Sequence, residues 1–434
     1  MPRVDPRVLL ASLTPPIRQV VDAFLARTRA AGVPVYAVGG PVRDLLLKRE
    51  IRDLDLLVEA EHADGTERIL RDLPVEGCQF TRHARFRTFV VQHRGETLDI
   101  AVARAETYAH PGALPQVTPG SLREDLARRD FRVNALAVPL APPEGVERVS
   151  VEAVPGALSD LREGHLEILH DRSFHDDPTR ALRAARLAPR LGFKLTASAR
   201  TGLTAAVRDG AFGGVSGERF RREFEKAFSD APLGLDPAAA LRLLSEWHVL
   251  AALEPGLALP RAVVAPIRRL GRSLAQPPWE LRRHRPWVPG LSLWLAELPP
   301  ALRRRVIARL KVTGATATSI LGFPKTRDHF LRRLPRLRGR GAVDRAVRDL
   351  SEEQLLALHA ASQPAGRRRL HRWAQEDRQR RSPITGTDLQ KLGLEGVAIG
   401  RVLLAVREAY LDRRVETRED ALTLARELAR RTRP

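Results

Sequence analysis

Cysteine is almost missing from this chain: Cys78 is the only one in 434 residues. An intrachain disulfide is therefore excluded, and so is a zinc site built on several thiolates. Long apolar runs are missing too. No stretch of about 18 apolar residues is available to span a bilayer and no secretory signal opens the chain, so a cytoplasmic protein with no membrane partner is expected. Lysine is scarce, at only six of the 73 Lys and Arg residues. A GC-rich coding bias can favour arginine over lysine, but it does not account for a net charge of +21. Such an excess favours an anionic partner, most naturally nucleic acid. Arginine forks match phosphates and stack on bases.

The length suffices for two to four domains with a sizeable core. Residues 7–31 read as an amphipathic helix interrupted by Pro15-Pro16, with Val20, Val21, Phe24 and Leu25 on one face. Strand signals follow at 34–38, 53–58, 86–92 and 96–102, with helical patterns such as 65–72 between them. Beyond about residue 157 the strand signals nearly vanish, and Arg-rich helices punctuated by Pro and Gly run to the C-terminus. This predicts an α+β chain: a small α/β domain ending near residue 150, then a long helical remainder that shows no fixed-period repeat and no evident subdivision.

Three segments carry the chemistry. The first is Tyr36-Ala37-Val38-Gly39-Gly40-Pro41-Val42-Arg43-Asp44, followed by Asp53-Leu54-Asp55. Glycines let a backbone approach a phosphate, and a helix start offers free N–H groups to it. Residues two apart on a strand share a face, so Asp53 and Asp55 are predicted to converge while Leu54 turns inward. A lone Gly-Gly is usually a turn and a lone Asp-x-Asp usually a solvated strand end. Strand, Gly-Gly, Arg-Asp and Asp-x-Asp in one compact order suggest instead a divalent-metal site for phosphoryl or nucleotidyl transfer.

The second segment is Glu124-Asp125-Leu126-Ala127-Arg128-Arg129-Asp130-Phe131-Arg132-Val133-Asn134. Its spacing predicts cations and hydrogen-bonding groups on one helical side, although alone it reads as a charged surface. The third is Phe174-His175-Asp176-Asp177-Pro178-Thr179-Arg180, continuing through Arg183 and Arg186. Pro178 suits a first helical turn and Asp176 or Asp177 an N-cap. The arginines recur every three residues, near one face. Asp177 and Arg180 can present an acceptor beside a forked donor, as a reader of a base edge would.

Together these segments resemble the class II tRNA nucleotidyltransferase / bacterial poly(A) polymerase family, over the first ~200 residues, the scale of one domain and an adjoining segment. Gly39-Gly40-x-Val42-Arg43-Asp44 with Asp53-x-Asp55 is similar to its metal and triphosphate motif. Arg128-Arg129-Asp130-Phe131 with Asn134-Ala135 is similar to its second motif, and Asp177-x-x-Arg180 with Arg183 and Arg186 to its templating motif. Leu98-Asp99-Ile100-Ala101 with Arg104, Glu106 and Tyr108 also matches. A weaker similarity returns at Pro383–Leu389. The sequence departs from the family at Pro41, at Arg132 where Thr is usual, at Asp176 where Glu is common, and at Glu152–Gly156, a degraded Asp-Pro-x-Gly-Gly.

The resemblance implies a nucleotidyltransferase-fold head, a small β-sheet flanked by helices, over 1–150. A helical neck with the templating motif (151–230), a helical body (231–345) and a tRNA-binding tail (346–434) would follow. It implies an enzyme adding C and/or A from CTP or ATP to the tRNA 3′ end, with pyrophosphate released. Asp53 and Asp55 would be the catalytic carboxylates holding two Mg²⁺ ions, with Asp99 a candidate third carboxylate. Gly40, Arg43 and Arg129 would meet the triphosphate and Asp130 the ribose. Asp177 and Arg180 would pair with the base, with Arg183 and Arg186 adding contacts. The tRNA acceptor arm would lie on the basic helices.

CCA addition, CC addition, A addition and poly(A) polymerisation all fit this core. Tyr108–Val117 is similar to a stretch in relatives that include A-adding enzymes, a slight tilt to A addition. A non-catalytic RNA-binding relative is disfavoured by the two metal carboxylates, and a small-molecule nucleotidyltransferase by the long basic helical region.

Overall fold

The computed structural model describes residues 1–83, 88–279 and 285–432. The chain divides into two compact units, Met1–Val215 with Trp247–Leu253, and Ser216–Glu246 with Glu254–Pro434.

The first unit is built on a mixed sheet. Its elements run α1 (Pro15–Ala30), β1 (Val35–Val38), α2 (Gly40–Leu46), β2 (Leu56–Val58), α3 (Ala63–Arg71), β3 (Gln79–His83), β4 (Thr88–His93) and β5 (Glu96–Val102). They continue through β6 (Arg104–Thr107), β7 (Gln116–Pro119), α4 (Leu122–Ala127), β8 (Leu136–Pro139), β9 (Glu152–Ala153), α5 (Ala157–Glu163), α6 (Ser173–Asp176), α7 (Thr179–Leu191) and α8 (Ala197–Arg208). Seven strands lie in the order β9-β8-β1-β2-β5-β4-β3, and β6 pairs with β7 separately. Only β2 and β5 run parallel in the large sheet. That parallel pair needs a crossover, which α3 and the β3–β4 hairpin supply.

Local chemistry explains the elements. Pro15 and Pro16 occupy the first turn of α1, where missing N–H groups are harmless, and a separate turn over Arg7–Leu10 precedes them. The predicted apolar face of α1 is the buried one: Ile17, Val20, Val21, Phe24 and Leu25 are all covered. The strand at 96–102 forms with the predicted bounds. For the strand predicted over 86–92, residues 86 and 87 lie outside the described residues, and β4 covers Thr88–His93. After residue 157 strand structure shrinks to one two-residue parallel pair, His165–Leu166 with Lys194–Leu195.

The described part of the second unit is helical. Its helices include α9 (Gly217–Ser229), α10 (Pro237–Glu246), α11 (Arg261–Leu274), α12 (Trp287–Leu295), α13 (Pro300–Arg309) and α14 (Gly314–Arg333). They continue with α15 (Arg340–Val347), α16 (Glu352–Ala361), α17 (Pro364–Gln375), α18 (Gly386–Gln390), α19 (Gly396–Leu411) and α20 (Arg418–Thr432). Every residue of α12 is buried, as befits a helix apolar all round. Its Trp294 packs on Phe224 of α9 with ring centroids 5.3 Å apart. Further along, the fully buried Asp344 accepts from Trp373 Nε1 at 2.9 Å and from Arg407 at 3.0 Å, joining α15, α17 and α19. A buried carboxylate needs such partners, and arginine supplies them in pairs. The last three helices share a core of Leu389, Leu394, Val402, Val406, Ala421 and Ala425.

Candidate active site

The apolar strand β1 ends on Gly39, whose φ of +80° and ψ of −128° suit glycine alone. Gly39 N–H donates to the Leu136 carbonyl at 3.0 Å, fastening the turn to β8. Helix α2 then starts at Gly40, with Pro41 in its first turn, which accommodates that departure from the family pattern. A Cβ on Gly39 would stand 2.7 Å from Arg129 Nη1, so the guanidinium rests directly on the glycine backbone. Gly39→Ala is expected to cost about 1–3 kcal/mol through its backbone conformation alone. It should also push Arg129 aside. Thermal unfolding would move to lower temperature, and an unchanged melting temperature would show that neither the backbone strain nor the Arg129 contact matters to the fold.

Asp53 and Asp55 lie just before β2, not within a strand over 53–58. Regular pairing ends at Leu56 opposite Ala37, but Val38 N–H still donates to the Asp55 carbonyl at 3.1 Å. Asp55 is therefore anchored beyond the last paired residues while its carboxyl faces outward. Parallel pairing of Leu56 with Ile100 sets Asp55 beside Asp99. All three aspartates reach solvent. Protein crowds the Asp55 carboxyl on its inner side, and this desolvation pushes its pKa up; Arg129 pulls it down, and Asp53 and Asp99 push it up further. Like charges gathered this way favour a cation. Among the described residues no three His, Cys, Asp or Glu side chains form a metal cage. Mg²⁺ does not require one, since it is commonly bound by one or two carboxylates plus substrate phosphates and water. The hard oxygen donors of Asp53 and Asp55 fit it.

The second motif does not lie on one helical side. Helix α4 opens with a capping box between Ser121 and Glu124 and stops at Ala127, with Arg128 as its C-cap. The chain then turns, and residues 132–134 form a separate 3₁₀ turn. The grouping arises through hydrogen bonds instead. Asp130 Oδ1 accepts from Phe131 N–H and from Asn134 Nδ2, each at 2.9 Å. Asn134 Oδ1 accepts from Arg43 Nη1 at 2.6 Å. Arg43 is buried and also donates to Asp44 Oδ1, from Nε at 2.9 Å. Burial pulls its pKa down, against the opposing pull of Asp44. Arg132 and the altered Glu152–Gly156 segment meet: Gly156, at φ +85°, leaves room for the Arg132 guanidinium 3.0 Å from where a Cβ would stand.

In the third motif the N-cap of the following helix is Pro178, and Asp177, one residue ahead of it, accepts from Thr179 N–H at 3.0 Å and Thr179 Oγ1 at 2.5 Å. Its other oxygen accepts from Arg183 Nη2 at 2.7 Å. Arg183 Nη1 stands 3.7 Å from Asp130, which links the second and third motifs. Arg180 is 3% exposed; it donates to Ser173 Oγ and, at 2.8 Å, to the Arg128 carbonyl. These two bonds use two of the guanidinium's five N–H donors. Arg186 follows on α7, half-buried.

Two supports were given no role by sequence reasoning: Ser173 and Asp125 each hold a motif arginine. For Asp125 a signal existed, because Arg128 and Arg129 stand three and four residues on, the spacing of helical ion pairs. For Ser173 none did, since its partner is set by the fold. Tyr108 donates its hydroxyl to Glu106 Oε2 at 2.8 Å, and burial with the Glu106 charge keeps it protonated well above the usual range.

The chain is similar to several known proteins. Residues 35–167 match the family model described as Poly A polymerase head domain. An A-adding tRNA nucleotidyltransferase of Geobacter sulfurreducens is 31% identical over 410 residues, 92% of this chain and 45% of that protein. One from Halalkalibacterium halodurans is 28% identical over 416 residues, covering 92% of this chain and 90% of the relative. The structure of a Thermotoga maritima CCA-adding enzyme complexed with tRNA superposes with a TM-score of 0.70 at 25% identity, covering 100% of both chains. The sheet-based head followed by helices is thus the fold of a CCA-adding enzyme. The chain spans less than half of the Geobacter relative and nearly all of the Halalkalibacterium one. These likenesses match the resemblance to the class II tRNA nucleotidyltransferase / bacterial poly(A) polymerase family.

Proposed function

We propose that this protein adds C and/or A residues from CTP or ATP to the 3′ end of tRNA, releasing pyrophosphate, with a tilt to A addition. One observation carries the reading: Arg129, which lies on Gly39 and acts electrostatically on the Asp55 carboxyl, is tied through Asp125 and Arg128 to Arg180, while Arg183 joins Asp177 to Asp130. The A-adding names of the two long-matching relatives support the tilt.

The roles follow from chemistry. Asp53 and Asp55 would hold two Mg²⁺ ions, with Asp99 steadying Asp55. The ions would supply Lewis-acid activation of the RNA 3′-hydroxyl and charge neutralisation at the pyrophosphate. Arg129 faces the turn where a triphosphate would lie, and its buried Nε has no protein acceptor, so a phosphate oxygen would satisfy it. Gly40 offers its backbone there, and Arg43 underlies it while gripping Asn134. Asp130 would take a ribose hydroxyl. Asp177 accepts and Arg180 donates, matching the amine and ring nitrogen that C and A share; U and G present the reverse. Arg183 holds Asp177 in place, and Arg186 extends the cationic face. The cytoplasm is where such an enzyme would meet tRNA, and no described helix is long and apolar enough to cross a membrane.

The acceptor arm would be held by the arginine-rich second unit. Arg332, Arg336 and Arg368 are exposed. Replacing all three with Gln should weaken tRNA binding and flatten the slope of log K against log salt by about one per lost phosphate contact. An unaltered slope would place that face away from RNA.

The direct test is incorporation. Purified protein with Mg²⁺ is given tRNA ending at the discriminator base, at C, or at CC, with CTP, ATP or both, and the products are sized. One A added to CC-ended tRNA is expected. Addition of two C residues would shift the reading to CC or CCA addition, and long A tails on unrelated RNA to a poly(A) polymerase.

A further inference from the structure

We propose that Asp125 is a positioning residue that ties the triphosphate grip to base selection: one buried carboxylate aims Arg129 at the Gly39–Gly40 turn and fixes Arg128, whose carbonyl seats Arg180. This rests on the reading of Arg129 and Arg180 as nucleotide contacts.

The Asp125 side chain is completely buried in the last turn of α4. A carboxylate there requires compensating charge and hydrogen bonds. It has them from both arginines that follow. Oδ1 accepts from Arg128 Nε at 2.9 Å and Nη2 at 2.5 Å, while Oδ2 accepts from Arg129 Nη2 at 2.9 Å. Arg129 presents its other terminal nitrogen to Gly39.

Arg128 is held from its far side as well. Its Nη1 donates at 2.9 Å to Glu106 Oε1, which also accepts from Arg104 Nε at 3.0 Å. With both ends of its fork fixed, Arg128 has little freedom to swing. It is also the C-cap of α4, so its carbonyl lies outside the helical ladder and is available to another donor. That donor is Arg180 Nη2, at 2.8 Å. Two arginines adjacent in sequence thus serve the two ends of a nucleotide, and one carboxylate orients both. Exposed ion pairs at this spacing contribute little. A shared buried carboxylate differs, because its loss strands two guanidinium groups at once.

Asparagine matches aspartate in shape but has a single acceptor oxygen, and its NH₂ would face an arginine N–H. The test uses the full chain with CC-ended tRNA. Asp125→Asn should raise the KM for ATP about tenfold or more, as loss of a charge-assisted bond implies. Preference for ATP over GTP and UTP should fall by a similar factor, with kcat changed less, and Asp125→Glu should restore part of both. Unchanged KM and preference in a folded Asp125→Asn, with only a lower melting temperature, would overturn the proposal.

If Asp125→Asn does not fold, Arg128→Lys carries the test, since lysine cannot bond Asp125 and Glu106 through one rigid fork. Its base preference should drop; an unchanged preference overturns the proposal. Equilibrium binding of ATP and GTP separates the two readings. A wild-type chain that prefers ATP but adds nothing to tRNA would refute the tRNA reading, and the Asp125 variants would still be judged by their ATP affinity. A wild-type chain that binds neither nucleotide refutes both.

Discussion

If the proposed activity holds, Asp53→Ala and Asp55→Ala should each reduce nucleotide incorporation by roughly a thousandfold or more, since metal stabilisation of developing charge is worth several kcal/mol. Binding of tRNA stays near the wild-type level, because the basic surface is untouched. The physical ground is the approach of Asp53 and Asp55, just ahead of β2, to Asp99 on the neighbouring β5. Asp53 and Asp99 both repel the Asp55 charge, and a bound cation would relieve that repulsion. Deleting one therefore relieves repulsion in the metal-free protein. The melting temperature without Mg²⁺ should hold or rise, while the stabilisation that Mg²⁺ gives the wild type should disappear. Near-normal turnover in both variants would refute the metal assignment. A large fall in melting temperature would assign the pair a structural role instead.

Arg180→Lys is the second large effect. Arg180 is buried, so truncation to Ala would strand Ser173 Oγ and the Arg128 carbonyl, at a cost of about 1–3 kcal/mol per unpaired group. Lysine keeps the charge and most of the stem but loses the planar fork. A site that reads a base through paired polar groups discriminates strongly, so the preference for ATP or CTP over UTP and GTP should fall by about two orders of magnitude or more. Turnover of the correct nucleotide should fall less. The measurement is kcat/KM for each of the four nucleotides on the same tRNA. Equal losses for all four would mean that Arg180 supports the fold of α7 without reading the base.

Much of the site was legible from the chain alone, and the reason differs by residue. Gly39 was readable because only glycine tolerates its backbone conformation next to Arg129. Asp55 was readable because an apolar strand with an acidic entry is an unusual local pattern. Asp176 or Asp177 was expected as the N-cap; the cap is Pro178, although Asp177 still accepts from the first N–H of the helix. The helical reading of Arg128–Asn134 failed because periodicity assumes that the helix continues, and α4 stops at Ala127. Arg43 was read as a phosphate contact in the resemblance; its burial and its bonds to Asp44 and Asn134 became visible only in the fold. Asp125 was quoted in the motif but given no part, since an acidic residue before two arginines looks like a solvated pair until its burial is known.

The sequence by itself determined the kind of chemistry: which residue types stand at the strand ends and helix starts, an excess of arginine for an anionic partner, and the exclusion of a disulfide framework. Those properties are local or compositional. Only the tertiary structure decided which side chains meet. Arg43 reaches Asn134 across 91 positions, and Arg180 reaches the Arg128 carbonyl across 52. Such pairings arise from strand register and from where helices end, and hydrogen bonds are short enough that an error of one residue in either would break them.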